Sequence, residues 1–67
     1  MGVRTNFQME VGEEAYTSMY EFEQFIGFGD GLSKKEISKD FFEYRNGSRL
    51  IGYYDAAEGC ANLVSNN

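Results

Sequence analysis

With one cysteine and no histidine, this chain can be stapled neither by an internal disulfide nor by the usual zinc ligands, so apolar packing must hold its fold. That demand is severe at 67 residues, near the lower limit for a domain that folds without disulfide, metal or partner. Six Phe and five Tyr answer it, because each can bury a large apolar face. The same aromatic content argues against disorder, despite a net charge of -5. One domain over residues 1–67 is expected.

The charge is unevenly placed. No base stands between Arg4 and Lys34, while Glu10, Glu13, Glu14, Glu21, Glu23 and Asp30 all fall there. From Lys34 onward, five bases balance five acids. An acidic first half repels nucleic acid and attracts basic surfaces. Lys34, Lys35 and Lys39 form a small basic cluster, too small to reverse that field.

Periodicity predicts the elements. Val3, Thr5, Phe7, Met9 and Val11 alternate with Arg4, Asn6, Gln8 and Glu10, which reads as a half-buried strand over Val3–Val11. Glu13 to Ile26 fits either period. As a helix it aligns Ala15, Met19, Phe22, Phe25 and Ile26; as a strand it aligns Tyr16, Ser18, Tyr20, Phe22, Gln24 and Ile26. Acids in the first turn and Gly27 beyond the end favour the helix. Gly27-Phe28-Gly29-Asp30-Gly31 is a break, and Ser33-Lys34-Lys35-Glu36 fits a capping box that would open a second helix.

Asn46-Gly47 is a strong hairpin signal, flanked by strand-like Phe41–Arg45 and Ser48–Tyr54. A rival reading carries the helix to Tyr44 and caps it at Gly47. Asp55-Ala56-Ala57-Glu58 can cap one further turn, and Ser65-Asn66-Asn67 should fray. The order β-α-α-β-β predicts an α+β fold: a three-stranded antiparallel sheet with one or two helices packed on one face.

The residues give catalysis little to work with. Without histidine the commonest general base is gone, and Cys60, near Ala57, Ala61 and Leu63, reads as a buried thiol rather than a nucleophile. The glycine-rich break matches no phosphate-binding spacing, and Asp30 would oppose an anion, so a hinge or tight linker is expected. The expectation is a protein without catalytic, cofactor or metal residues. Its single cysteine, the absence of a spanning apolar run and an N-terminus unlike a signal peptide point to a cytoplasmic, non-membrane setting.

A binding surface remains. Glu13, Glu14, Tyr16, Tyr20, Glu21, Glu23 and Asp30 combine acids with Tyr, a frequent interface anchor. Such a face suits a partner lined with Lys and Arg. The run Met19-Tyr20-Glu21-Phe22, followed by Gly31-Leu32-Ser33 at the start of an expected helix, is similar to the uracil-DNA glycosylase inhibitors of small Bacillus phages. In its size, acidity and aromatics among carboxylates, the chain also resembles anti-CRISPR and anti-restriction proteins. The resemblance covers about a third of the chain. It implies a phage-encoded inhibitor that mimics DNA, binds a bacterial nucleic-acid-binding protein and contacts no nucleic acid itself. Dimers occur in that class. The competing expectation is an assembly module, a homodimer or a small subunit joined through its aromatics.

Overall fold

The computed structural model describes residues 7–29 and 31–66. Strands β1 (Glu14–Tyr16), β2 (Leu32–Ser38), β3 (Phe41–Asn46), β4 (Arg49–Asp55) and β5 (Cys60–Leu63) form one antiparallel sheet, with helix α1 (Met19–Ile26) between β1 and β2. The order across the sheet is β1-β5-β4-β3-β2. Three hairpins link β2 through β5 in sequence, and β1 closes the far side by pairing with β5. Among the described residues the fold is a small α+β sheet with one helix, and it has five strands where three were expected.

Each departure from expectation has a local cause. Of the strand expected over Val3–Val11, residues 3–6 lie outside the described residues, and 7–11 form no strand. Phe7 meets Phe25 edge-on at 5.5 Å and Met9 enters the core, so their alternation is satisfied by packing on the helix rather than by pairing. The chain then turns, with the Glu13 N–H bonding Glu10 O at 3.0 Å and the Glu10 N–H bonding Glu13 Oε1 at 2.9 Å.

Glu13–Ile26 divides at Ser18, giving each of its two readings half the segment. Ser18 is extended, and its Oγ accepts the Glu21 N–H at 3.1 Å, which starts the helix there. Glu14–Tyr16 is left to the sheet. Gly27 ends α1 in the left-handed conformation, φ 74°, where a side chain is disfavoured.

The second expected helix does not form. Strand pairing outcompetes the capping box: Leu32–Ser38 bonds along β3, and the Glu36 carboxylate accepts the Asp40 N–H at 2.9 Å in the following turn. The Asn46-Gly47 signal does mark a hairpin, with Asn46 opposite Arg49. Asp55 does cap a single turn, accepting the Ala57 and Glu58 N–H groups at 3.0 and 3.2 Å, but that turn leads into β5. Ser65 is tied down rather than frayed: its Oγ donates to Leu50 O and its N–H to Ile51 O. Asn67 lies outside the described residues.

Register assigns the side chains to two faces. Phe42 and Tyr44 of β3 lie level with Tyr54 and Gly52 of β4, and these with Ala61 and Leu63 of β5. That face carries α1. Phe22 is fully buried, edge-on to Tyr44 at 5.4 Å and stacked over Tyr54 at 6.3 Å. Gly52 makes the close approach possible: a Cβ there would strike the Asn62 carbonyl oxygen and stand 3.3 Å from Phe22 Cζ. A bulge in β4 leaves Ile51 buried and without a partner residue in β3. An eight-residue helix, about 12 Å long, is not stable alone and depends on this docking.

Candidate protein-binding surface

Among the described residues, no helix covers the opposite face of the sheet. One row across it reads Glu14, Asn62, Tyr53, Glu43 and Lys35; the next reads Tyr16, Cys60, Asp55, Phe41 and Ser38. Phe41 and Tyr53 stack at 5.3 Å with their planes 17° apart. The Arg45 guanidinium bonds both Glu43 carboxylate oxygens at 3.0 and 3.3 Å and the Ser48 carbonyl at 3.0 Å. The carboxylate beside it raises the Arg45 pKa, so that pair is neutralised within the face.

Three exposed acids stand together at one edge. Glu10 and Glu13 flank the turn into β1, and Glu14 begins it; all three are exposed. Tyr16, 78 % exposed, points away from the helix at the same edge. Leu63 N–H to Glu13 O and Thr17 N–H to Gly59 O direct Glu13, Ala15 and Thr17 toward β5, so the backbone groups of Glu14 and Tyr16 turn outward. The Tyr54 hydroxyl donates to Thr17 O at 2.6 Å, fixing the link from β1 into α1.

The expected site residues are only partly brought together. Glu13, Glu14 and Tyr16 share the β1 edge. Tyr20, 56 % exposed, and the half-buried Glu21 begin α1, on the other side of the Thr17-Ser18 link. Read as one helix, Glu13–Ile26 would set Glu13, Tyr16, Tyr20 and Glu23 on one flank; the break between β1 and α1 separates Glu13 and Tyr16 from Tyr20 and Glu23 instead. Glu23 is turned inward: its Oε2 accepts both Lys34 Nζ at 2.8 Å and the Tyr44 hydroxyl at 2.6 Å. Asp30 lies outside the described residues.

Glu58 was missed. It is exposed in the loop whose Gly59 carbonyl holds Thr17, which sets it beside the end of β1. It comes from the far end of the chain, and only the β1–β5 pairing brings it there.

Opposite this edge stands β2, carrying Lys34 and Lys35, with Lys39 in the turn that follows. Four strand spacings, about 19 Å, separate the two edges. Lysines and a bulge also protect β2 from pairing with another sheet. Cys60 is buried, and its Sγ lies 3.7 Å from Glu14 Oε1. Burial, and then the Glu14 charge, push its thiol pKa up, the direction of a poor nucleophile.

Among the described residues no three His, Cys, Asp or Glu side chains are placed to hold a metal ion, and no helix is long and apolar enough to cross a membrane. A shallow concavity of about 450 Å³ opens beside the end of α1, lined by Gln24, Phe25, Gly27, Leu63 and Asn66, with no charged side chain. Comparison with known protein families, curated proteins and solved structures finds no match for the chain.

Proposed function

We propose that this chain is a non-enzymatic binding protein whose acidic β1 edge occupies a basic, nucleic-acid-binding site on another protein. The observation that carries this reading is the gathering of Glu10, Glu13 and Glu14 around the exposed Tyr16 at one sheet edge, with the lysines at the other. Such a field steers the acidic edge toward Lys- and Arg-lined surfaces and turns the β2 edge away from them. Tyr16 supplies the contact area that charge alone lacks. The resemblance to phage-encoded inhibitors fits the same role, with a bacterial target in the cytoplasm.

The test is capture of a bacterial nucleic-acid-binding protein by the immobilised chain. Binding should fall with added salt and with duplex DNA as competitor. Glu10→Lys with Glu14→Lys should weaken it by about tenfold or more. Capture that survives both the competitor and the double reversal overturns the proposal. Glu23 is unsuited to this test, because its carboxylate is engaged internally.

A second reading is self-assembly through the helix-free face, where Phe41, Tyr53 and Tyr16 offer aromatic area. Sedimentation across a dilution series separates the two. An obligate dimer has no folded monomer at low concentration, whereas a binding module of the first kind stays folded.

A further inference from the structure

Five side chains converge on one ammonium group. Lys34 lies opposite Tyr44 in the sheet and so rises on the helix-bearing face. Its Nζ bonds Glu23 Oε2 at 2.8 Å and approaches Met19 Sδ at 3.5 Å. It also stands over three rings, at 5.4 Å from the centroid of Phe28, 5.6 Å from Phe42 and 6.0 Å from Tyr44. Ring faces attract a cation through their quadrupole, and a thioether is polarisable. The carboxylate completes the set with a charge and a hydrogen-bond acceptor. Rings around a carboxylate form a receptor for an organic cation, more than one salt bridge needs.

We infer that Met19, Glu23, Phe28, Phe42 and Tyr44 form an alkylammonium-binding cage, which Lys34 fills in cis as a tethered ligand. The walls do not come from Lys34's own strand: Met19 and Glu23 belong to α1, Phe28 to the turn after it, and Phe42 and Tyr44 to β3. The cage walls are therefore set by the fold rather than by Lys34, whose side chain keeps 30 % of its surface in water. Glu23 Oε2 also accepts from the buried Tyr44 hydroxyl at 2.6 Å, so the acceptor is held in place without Lys34. The 2.8 Å contact requires an N–H donor, which selects a primary ammonium over a quaternary one.

Two experiments test the inference. In the unaltered protein, limited acetylation followed by peptide mass spectrometry compares Lys34 with Lys35 and Lys39, neither of which has such a cage. Lys34 should react about tenfold more slowly or less; equal rates overturn the inference. The second uses Lys34→Ala, with n-butylammonium chloride as the probe and equal sodium chloride as the reference. The variant should melt several degrees lower, and tens of millimolar butylammonium should restore about 5 °C. Tetramethylammonium should restore less, and Phe42→Leu added to the variant should abolish the effect.

No shift with butylammonium, or equal shifts from the two cations, overturns the assignment. Should Lys34→Ala be unfolded at room temperature, recovery of folding on adding butylammonium supports the cage, and its failure with equal acetylation rates sinks it. None of these outcomes depends on what the acidic edge binds.

Discussion

The two faces of the sheet take alternate residues from the same strands, yet they hold their aromatics differently. On the helix-bearing face Tyr44 and Tyr54 are buried under Phe22, and each hydroxyl has a partner, Glu23 for one and the Thr17 carbonyl for the other. On the open face Phe41 and Tyr53 stack on each other, half-covered, and Tyr16 stands clear. A single short helix decides the difference. It is long enough to roof the middle strands on one side, and nothing comparable covers the other side among the described residues. Stability is thus concentrated on the helix-bearing face, and the aromatics of the other face stay partly in water.

The contrast is broken most severely at Phe22. Phe22→Ala removes the ring that joins α1 to Tyr44, Tyr54 and Gly52, and should destabilise the fold by about 4 kcal/mol. A domain this small has little more stability than that to lose. The expected outcome in urea titration is a midpoint near zero denaturant, with loss of the helical signal. A variant that keeps a cooperative transition with less than about 1 kcal/mol lost would mean that the helix is not the roof described.

Alkaline pH probes the same face more gently. Burial, then the hydrogen bond and charge of Glu23, push the Tyr44 phenol pKa well above its ordinary value. Burial raises Tyr54 and Cys60 as well. A raised folded pKa means that the unfolded chain releases its proton first. The stabilisation is whole below the unfolded value and declines as pH rises past it. Loss should begin near pH 9 with Cys60 and steepen above pH 10 with the tyrosines. By pH 11 Tyr44 should carry the largest share of that loss. Denaturation midpoints from pH 8 to 11 measure this, and Tyr44→Phe should flatten the upper part. An unchanged slope in that variant would remove Tyr44 from the account.

Local signals carried the parts of this architecture that were legible in the sequence. Asn46-Gly47 marked its hairpin and Gly27 its helix end because the conformation there is set within a few residues. Ser33-Lys34-Lys35-Glu36 was an equally local signal and misled, because β3 offered Leu32–Ser38 a full ladder of hydrogen bonds. The β1–β5 pairing, which joins Glu14 to Asn62, left no local trace, so β5 went unforeseen and β1 was contained only in the rival strand reading of Glu13–Ile26. The acidic surface shows the same limit. Its sign was legible from the base-free stretch, but Glu14 and Glu23 look alike in sequence. Only the fold sends one to an open edge and the other beneath Lys34 and Tyr44.

The smallest expected effect falls on the open face, and it sharpens the comparison because the residue type is unchanged. Phe41→Ala removes a ring from the same kind of side chain as Phe22→Ala, but this ring touches Tyr53 on one side and is partly in water on the other. Less apolar area is returned to solvent and no closed cavity forms, so the cost should be about 1 kcal/mol, near the worth of one aromatic pair. Urea titration reads the difference directly. A loss close to that of Phe22→Ala would mean that the open face is covered in solution, by a second copy or by residues outside those described. Repeating the measurement across protein concentrations then decides, since only a self-associated face gives a midpoint that moves with dilution.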